Sequence, residues 1–256
     1  MNSPLSFAKS RTVAVCFLLA TASAIIMSIL PANAGLYLMD KDLKPSFVVY
    51  GTGPGQHAPD DAERGFSAAF IDALASAVPD EDVAVTIRRT RANAGHGIEP
   101  AAIDRLEGTA SLRSTSGVKK ALLVAVEKYE AGVLTTPAHD AKRLDTILQG
   151  MGYQTEILTD PDRNTFTSAL VGFVQNLEAE DQAVFYFTGR GFDLSASAYL
   201  LPRDEGMPFD LETYKRLAVP FETVHETIAK KVRNAIFILD IDRSELDGSG
   251  SIRATR

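Results

Sequence analysis

The sequence predicts an α/β fold built on a mostly parallel sheet, and three observations carry that prediction. Short apolar runs rich in Val, Ile, Leu, Phe and Tyr recur at 47–50, 118–126, 153–158, 183–187 and 234–241, each the length of a buried strand. Segments with apolar residues at helical spacing stand between them. With 256 residues, 45% of them apolar and 23% charged, the chain can bury a substantial core and reads as one domain.

Residues 1–34 are read apart from the fold. Lys9 and Arg11 precede the apolar run 12–30, and Ala32-Asn33-Ala34 has the A-x-A form of a signal-peptide cleavage site. The mature chain would start at Gly35 and be secreted or periplasmic. The alternative is an uncleaved anchor, since the run is long enough to cross a bilayer. Cys16, the only cysteine in the sequence, lies inside this run, so the mature protein would have no disulfide, cysteine ligand or cysteine nucleophile. Cleavage removes two basic and no acidic residues and moves the net charge from −7 to −9. An acidic surface disfavours nucleic acid and anionic lipid as partners.

From Gly35, residues 47–50 read as a strand and 51–61 as a Gly/Pro loop. Phe66, Phe70, Leu74 and Val78 then mark the inward face of a helix. The glycines at 51, 53 and 55 have the spacing G-x-G-x-G with Pro54 among them, which suits a structural turn better than a phosphate cradle. Residues 80–94 read as a second helix, capped by Asp80 or Asp82 and turning Val83 and Ile87 inward. The polar stretch 108–117, GTASLRSTSG, reads as a linker between 35–107 and 118–243.

Residues 118–126 (VKKALLVAV) are the next strand. Ala141, Leu144, Leu148 and Met151 give a helix that stops at Gly150 to Gly152, and 153–158 gives another strand. Asp160, Asp162 and Asn164 have the spacing that opens a calcium loop, but Thr165 and Val171 stand where the loop needs Gly and Glu. They read as a turn and the N-cap of a helix burying Phe166, Leu170, Phe173 or Val174, and Leu177. Residues 183–187 (AVFYF) form a strand buried on both faces, ending in the sharp turn Thr188-Gly189-Arg190-Gly191. In open parallel sheets that edge gathers ligands and catalytic groups. A helix through Val224, Ile228 and Val232 leads to the last strand, 234–241 (NAIFILDI), and 244–256 read as a disordered tail.

The stretch FYFTGRGF, followed by Tyr199, Leu200, Leu201, Pro202 and Asp204, resembles the third-strand region of the caspase-like cysteine peptidases, the superfamily of caspases, metacaspases and orthocaspases. Ile238-Leu239-Asp240-Ile241-Asp242-Arg243 is similar to that family's ILDACR pattern, and Pro54, Gly55, Gln56, Ala58 and Asp60 to the small-subunit loop of orthocaspases. The resemblance implies a three-layer sandwich with helices on both faces. The small-subunit-like half, 35–107, comes first and the large-subunit-like half, 118–243, second. This order implies a circular permutation, with 108–117 joining the old ends. The two halves would pair within the chain or between chains in a swapped dimer.

The resemblance also places Arg190 at the catalytic His position and Asp242 at the catalytic Cys position. Arg accepts no proton at accessible pH and a carboxylate is a poor nucleophile toward an amide, so no peptidase activity is expected. Arg190 and Asp242 could form an ion pair across the strand ends, or each could face water. Asp60 and Asp240 match the acids of the family's Arg/Lys pocket, which implies a pseudopeptidase that binds a basic peptide or regulates an active caspase-like partner. The alternative is that Arg190 or Arg243 fills the pocket from within. Two other readings stand beside these: a Mg²⁺-dependent phosphatase using Asp240 and Asp242 in a D-x-D motif, and a purely structural partner-binding domain. His57, His96, His139 and His225 lack metal-ligand spacing and read as surface or packing residues. No cofactor is expected.

Overall fold

The structure is a computed structural model. It describes residues 45–53, 65–78, 80–95, 98, 100–106, 111–112, 117–130, 132–194, 197–203, 211–241, 245–246 and 252–253. The proposed signal peptide, Asp60, Asp204, Asp242 and Arg243 lie outside the described residues, as do His57 and His96.

The elements run β1 (Phe47–Tyr50), α1 (Phe66–Ala75), α2 (Val83–Asn93), β2 (Ala101–Asp104), β3 (Lys119–Ala125), β4 (Lys128–Tyr129), β5 (Gly132–Val133), α3 (Pro137–Gly150), β6 (Tyr153–Thr159) and α4 (Arg163–Gln175). After them come β7 (Gln182–Gly189), β8 (Gly191–Leu194), β9 (Ser197–Leu200), α5 (Leu211–Leu217), β10 (Val219–Pro220), α6 (Phe221–Ala229), β11 (Asn234–Ile241), β12 (Glu245–Leu246) and β13 (Ile252–Arg253).

The central sheet has the order β2-β1-β11-β7-β3-β6. Every pair in it is parallel except β1 with β2. A parallel sheet must be covered on both faces, because each strand turns alternate residues to opposite sides and here both sets are apolar. On one face Val48, Leu122, Val124, Phe185, Phe187, Phe237 and Leu239 pack with Phe166, Leu170 and Phe173 of α4 and Phe221, Val224 and Ile228 of α6. On the other, Val49, Leu123, Val184, Tyr186, Ile236 and Ile238 meet Phe66, Phe70, Leu74, Val83, Ile87, Leu144 and Leu148 of α1, α2 and α3. The result is the three-layer α/β sandwich expected from the sequence. A smaller sheet of order β10-β9-β8-β12-β13 stands beside it.

The helix ends follow local chemistry. Asp82 caps α2 by accepting from Ala84 N–H at 2.8 Å, and Asp162 caps α4 by accepting from Thr165 N–H at 2.7 Å, as its position before the apolar pattern predicts. Asp80, the other cap candidate, instead takes φ 63° in the preceding turn.

Other expectations are corrected. Val78 does not reach the inward face: α1 ends at Ala75, the chain turns through Ala77 N–H to Leu74 C=O, and Val78 is 60% exposed. β2, absent from the sequence reading, carries only a half-buried alternating pattern as an edge strand, which leaves little apolar signal. The tail at 244–256 contributes β12 and β13, two-residue strands too short to show any period.

The described residues on either side of the segment read as a linker lie at one rim of the sheet. Asp104 pairs with Phe47 at the start of β1, and Lys119 pairs with Gln182 at the start of β7, so 105–118 joins two points at the same rim. Four strand spacings of roughly 4.8 Å separate β2 from β3, far less than the reach of an extended chain of that length. Leu112 is buried on the way, and Gln182 Nε2 donates to Ser111 C=O at 2.6 Å.

Candidate functional site at the strand ends

The parallel strands all finish at one rim, which brings together Gly51, Val126, Arg190 and Asp240. Gly51 N–H donates to Leu239 C=O at 2.7 Å, Val126 N–H to Thr188 C=O at 3.0 Å, and Thr52 Oγ1 to Ile241 C=O at 2.9 Å. These bonds continue the sheet's pairing into the loops and fix where the rim side chains start.

Arg190 sits between β7 and β8, half-buried. Its backbone N–H donates to the Tyr129 hydroxyl at 2.7 Å, and that hydroxyl donates to Leu201 C=O at 3.0 Å. The guanidinium lies over the Tyr129 ring, 5.3 Å from its centroid, within cation–π range. Gly189 makes this arrangement possible: its φ is +152°, and a Cβ there would stand 2.5 Å from the Tyr129 hydroxyl. Among the described residues, Arg190 Nε is buried without a hydrogen-bond partner.

Asp240 is the second-last residue of β11 and is held by α1. Ser67 Oγ donates to Asp240 Oδ2 at 2.5 Å, and Ser67 N–H reaches the same oxygen at 3.3 Å. Tyr186, fully buried beneath, lies with its hydroxyl 2.6 Å from Ser67 Oγ. Because Ser67 donates to the carboxylate, Tyr186 donates to Ser67, giving a chain Tyr186 to Ser67 to Asp240. Burial pushes the Asp240 carboxyl up to about 6. The Ser67 hydroxyl opposes this, and the Asp140 charge adds to it. Burial, with Asp240 and Asp140 nearby, holds the Tyr186 phenol well above its ordinary value, so Tyr186 is a neutral donor. Asp140, buried on α3, lies 3.4 Å from Nδ1 of exposed His139. Gly51 leaves room for the carboxylate, since a Cβ there would meet Asp240 Oδ1 at 2.8 Å.

Of the residues singled out from sequence, Arg190 and Asp240 come to the same rim; Asp60 and Asp242 lie outside the described residues. Arg190 and Asp240 are held by different neighbours, Tyr129 and Ser67. Sequence reasoning missed Tyr129, Ser67, Tyr186 and Asp140 as parts of the site. Tyr186 carried one usable signal, since a tyrosine inside a run of buried strand residues needs a partner for its hydroxyl. Ser67 sits among apolar helix residues and carried none.

The rim offers a fixed guanidinium and a half-buried carboxylate poised to bind a cation or a proton. Among the described residues, no cluster of three or more His, Cys, Asp or Glu side chains is arranged to hold a metal ion, and no helix is long and apolar enough to cross a membrane.

No curated protein matches the chain. Against protein families, residues 118–255 match the caspase domain. That segment is more than half of the sequence and runs from β3 to β13, taking in Tyr129, Arg190 and Asp240, so the chain belongs to the caspase-domain family.

Proposed function

We propose that this protein is a circularly permuted caspase-fold pseudopeptidase that binds a basic peptide segment at the strand-end rim. The observation that carries the reading is Arg190 fixed on Tyr129 at the position where the family resemblance puts the catalytic His. A guanidinium cannot take a proton from a nucleophile. The sequence's one cysteine, Cys16, stands in the apolar N-terminal run, far from the position that the resemblance gives to the nucleophile.

Asp240 supplies the binding half of the proposal. Ser67 anchors Oδ2 and leaves the carboxylate half-open at the rim, a suitable acceptor for guanidinium or ammonium. Asp60 is the proposed second acid of that pocket. β7 and β11 bring their last residues, Gly189 and Ile241, into register; Arg190 and Asp242 follow these in sequence, which supports an ion pair between them. The permutation is supported by β1, the first strand, lying parallel beside β11, and by Asp104 and Lys119, the ends of the connection between the halves, lying at the same rim. We read the halves as paired within the chain and the protein as exported, the basic segment coming from a peptide, a partner protein or an active relative.

Titration of the purified protein with Arg- and Lys-containing peptides tests the binding. Basic peptides should bind at least about tenfold more tightly than matched Gln peptides, and Asp240→Asn should remove that difference. Equal affinity for both peptides contradicts the proposal. Mg²⁺-dependent phosphate release would favour the phosphatase alternative.

A further inference from the structure

The two oxygens of Asp240 are not equivalent. Ser67 stands in the first turn of α1, where the N-cap residue, Gly65, has no side chain to offer and the first turn holds no acid, so the turn's N–H groups need acceptors from outside the helix. Asp240 supplies one. Ser67 Oγ donates to Oδ2 at 2.5 Å, and Ser67 N–H reaches the same oxygen at 3.3 Å. The Tyr186 hydroxyl, 2.6 Å from Ser67 Oγ, fills the acceptor side of the serine and leaves its proton directed at the carboxylate. A carboxylate offers roughly two acceptor directions per oxygen, and Ser67 takes both on Oδ2.

Oδ1 is placed differently. Both hydrogen bonds that described residues make to the Asp240 side chain go to Oδ2, while Oδ1 stands over Gly51, where a Cβ would come within 2.8 Å of it. Gly51 N–H is engaged with Leu239 C=O at 2.7 Å. The same Cβ would meet the Phe66 ring at 2.7 Å, so the wall beside Oδ1 is a glycine backed by an aromatic ring, and neither donates to it. A guanidinium gains its advantage over an ammonium by laying two parallel N–H groups on the two oxygens of one carboxylate. With Oδ2 committed to α1, that fork meets a single oxygen, and its second prong loses water without finding an acceptor. An ammonium is a compact point charge that needs no second oxygen in line. Resting on the reading of the rim as a basic-peptide site, we propose that the site selects lysine over arginine, and that Ser67 is the positioning residue that sets this choice by holding Oδ2.

The test is calorimetric titration of the full purified chain with peptides identical except for one Lys, Arg or Gln. The Lys peptide should bind about fivefold more tightly than the Arg peptide. Ser67→Ala releases Oδ2 from the hydroxyl and should bring the two affinities together, whereas Ser67→Thr keeps a hydroxyl and should keep the preference. A serine with a merely structural role would change both affinities in step and leave their ratio alone. The wild-type comparison decides by itself if a Ser67 variant does not fold. Arg bound as tightly as Lys or more tightly, with both above Gln, overturns the selection and leaves the basic-peptide site standing. A Lys preference that survives in folded Ser67→Ala overturns the role of Ser67. Equal affinity for all three peptides contradicts the basic-peptide reading itself, and the selection with it.

Discussion

Asp240 and His225 lie on opposite faces of the same sheet and carry opposite pH dependences. His225 is fully buried between Phe221 and Phe237, with Nε2 2.8 Å from Ser46 Oγ. Burial pushes its imidazole down to about 4 from an ordinary 6.5. Glu226 opposes that shift and Arg105 adds to it. Between these pH values the unfolded chain takes the proton more readily, so the histidine's contribution to stability rises with pH from about 4 to 6.5. Asp240 runs the other way: its carboxyl titrates at 3.8 ordinarily and at about 6 in the fold. The folded chain holds the extra proton in that window, so this contribution falls as pH rises through it. Each is on the order of 2 kcal/mol, the carboxylate's smaller because it is half-open to water. Asp240→Asn should therefore make stability rise more steeply between pH 4.5 and 6.5 than in the wild type, and His225→Gln should make it rise less or fall. Urea unfolding across that range measures both, and parallel curves for all three proteins would contradict the assignment. The sequence showed Asp240 as a carboxylate at a strand end. The groups that set its behaviour, Ser67, Tyr186 and Asp140, come from three other elements and meet only in the folded chain.

The elements that build the sheet were legible because burial on both faces leaves continuous apolar runs, as at β3, β7 and β11. Those that frame it were not. β2 is a half-buried edge strand, and β12 and β13 are two residues each, so their positions are set by pairing. The turn after Phe187 was legible from its glycines, but β7 in fact continues to Gly189, and Arg190 alone stands between it and β8. That junction depends on Gly189, whose backbone conformation L side chains rarely adopt and whose missing Cβ leaves space for the Tyr129 hydroxyl. Gly189→Ala should cost about 1–3 kcal/mol. It should also move Tyr129 away from Arg190 N–H, which amide exchange at residue 190 would detect as lost protection. Unchanged stability and unchanged exchange would show that the junction tolerates a side chain and that Tyr129 does not fix Arg190.

Over the whole chain, the sheet order places the first-half strands beyond β11, with both ends of the 105–118 connection at the rim opposite the candidate site. No periodicity in the sequence could give that order, and the resemblance gave only the succession of the two halves; the family match begins at residue 118, with the second of them. Binding and catalysis are separable in such a fold, because the strand-end carboxylate can remain while the proton acceptor and nucleophile are exchanged for other groups. Incubation of the purified wild-type chain with fluorogenic Arg- and Lys-containing peptides, beside Arg190→His/Asp242→Cys, tests the proposed absence of cleavage. The wild type should release no fluorophore above a buffer blank, and peptide-bond hydrolysis that copurifies with it would contradict the proposed function.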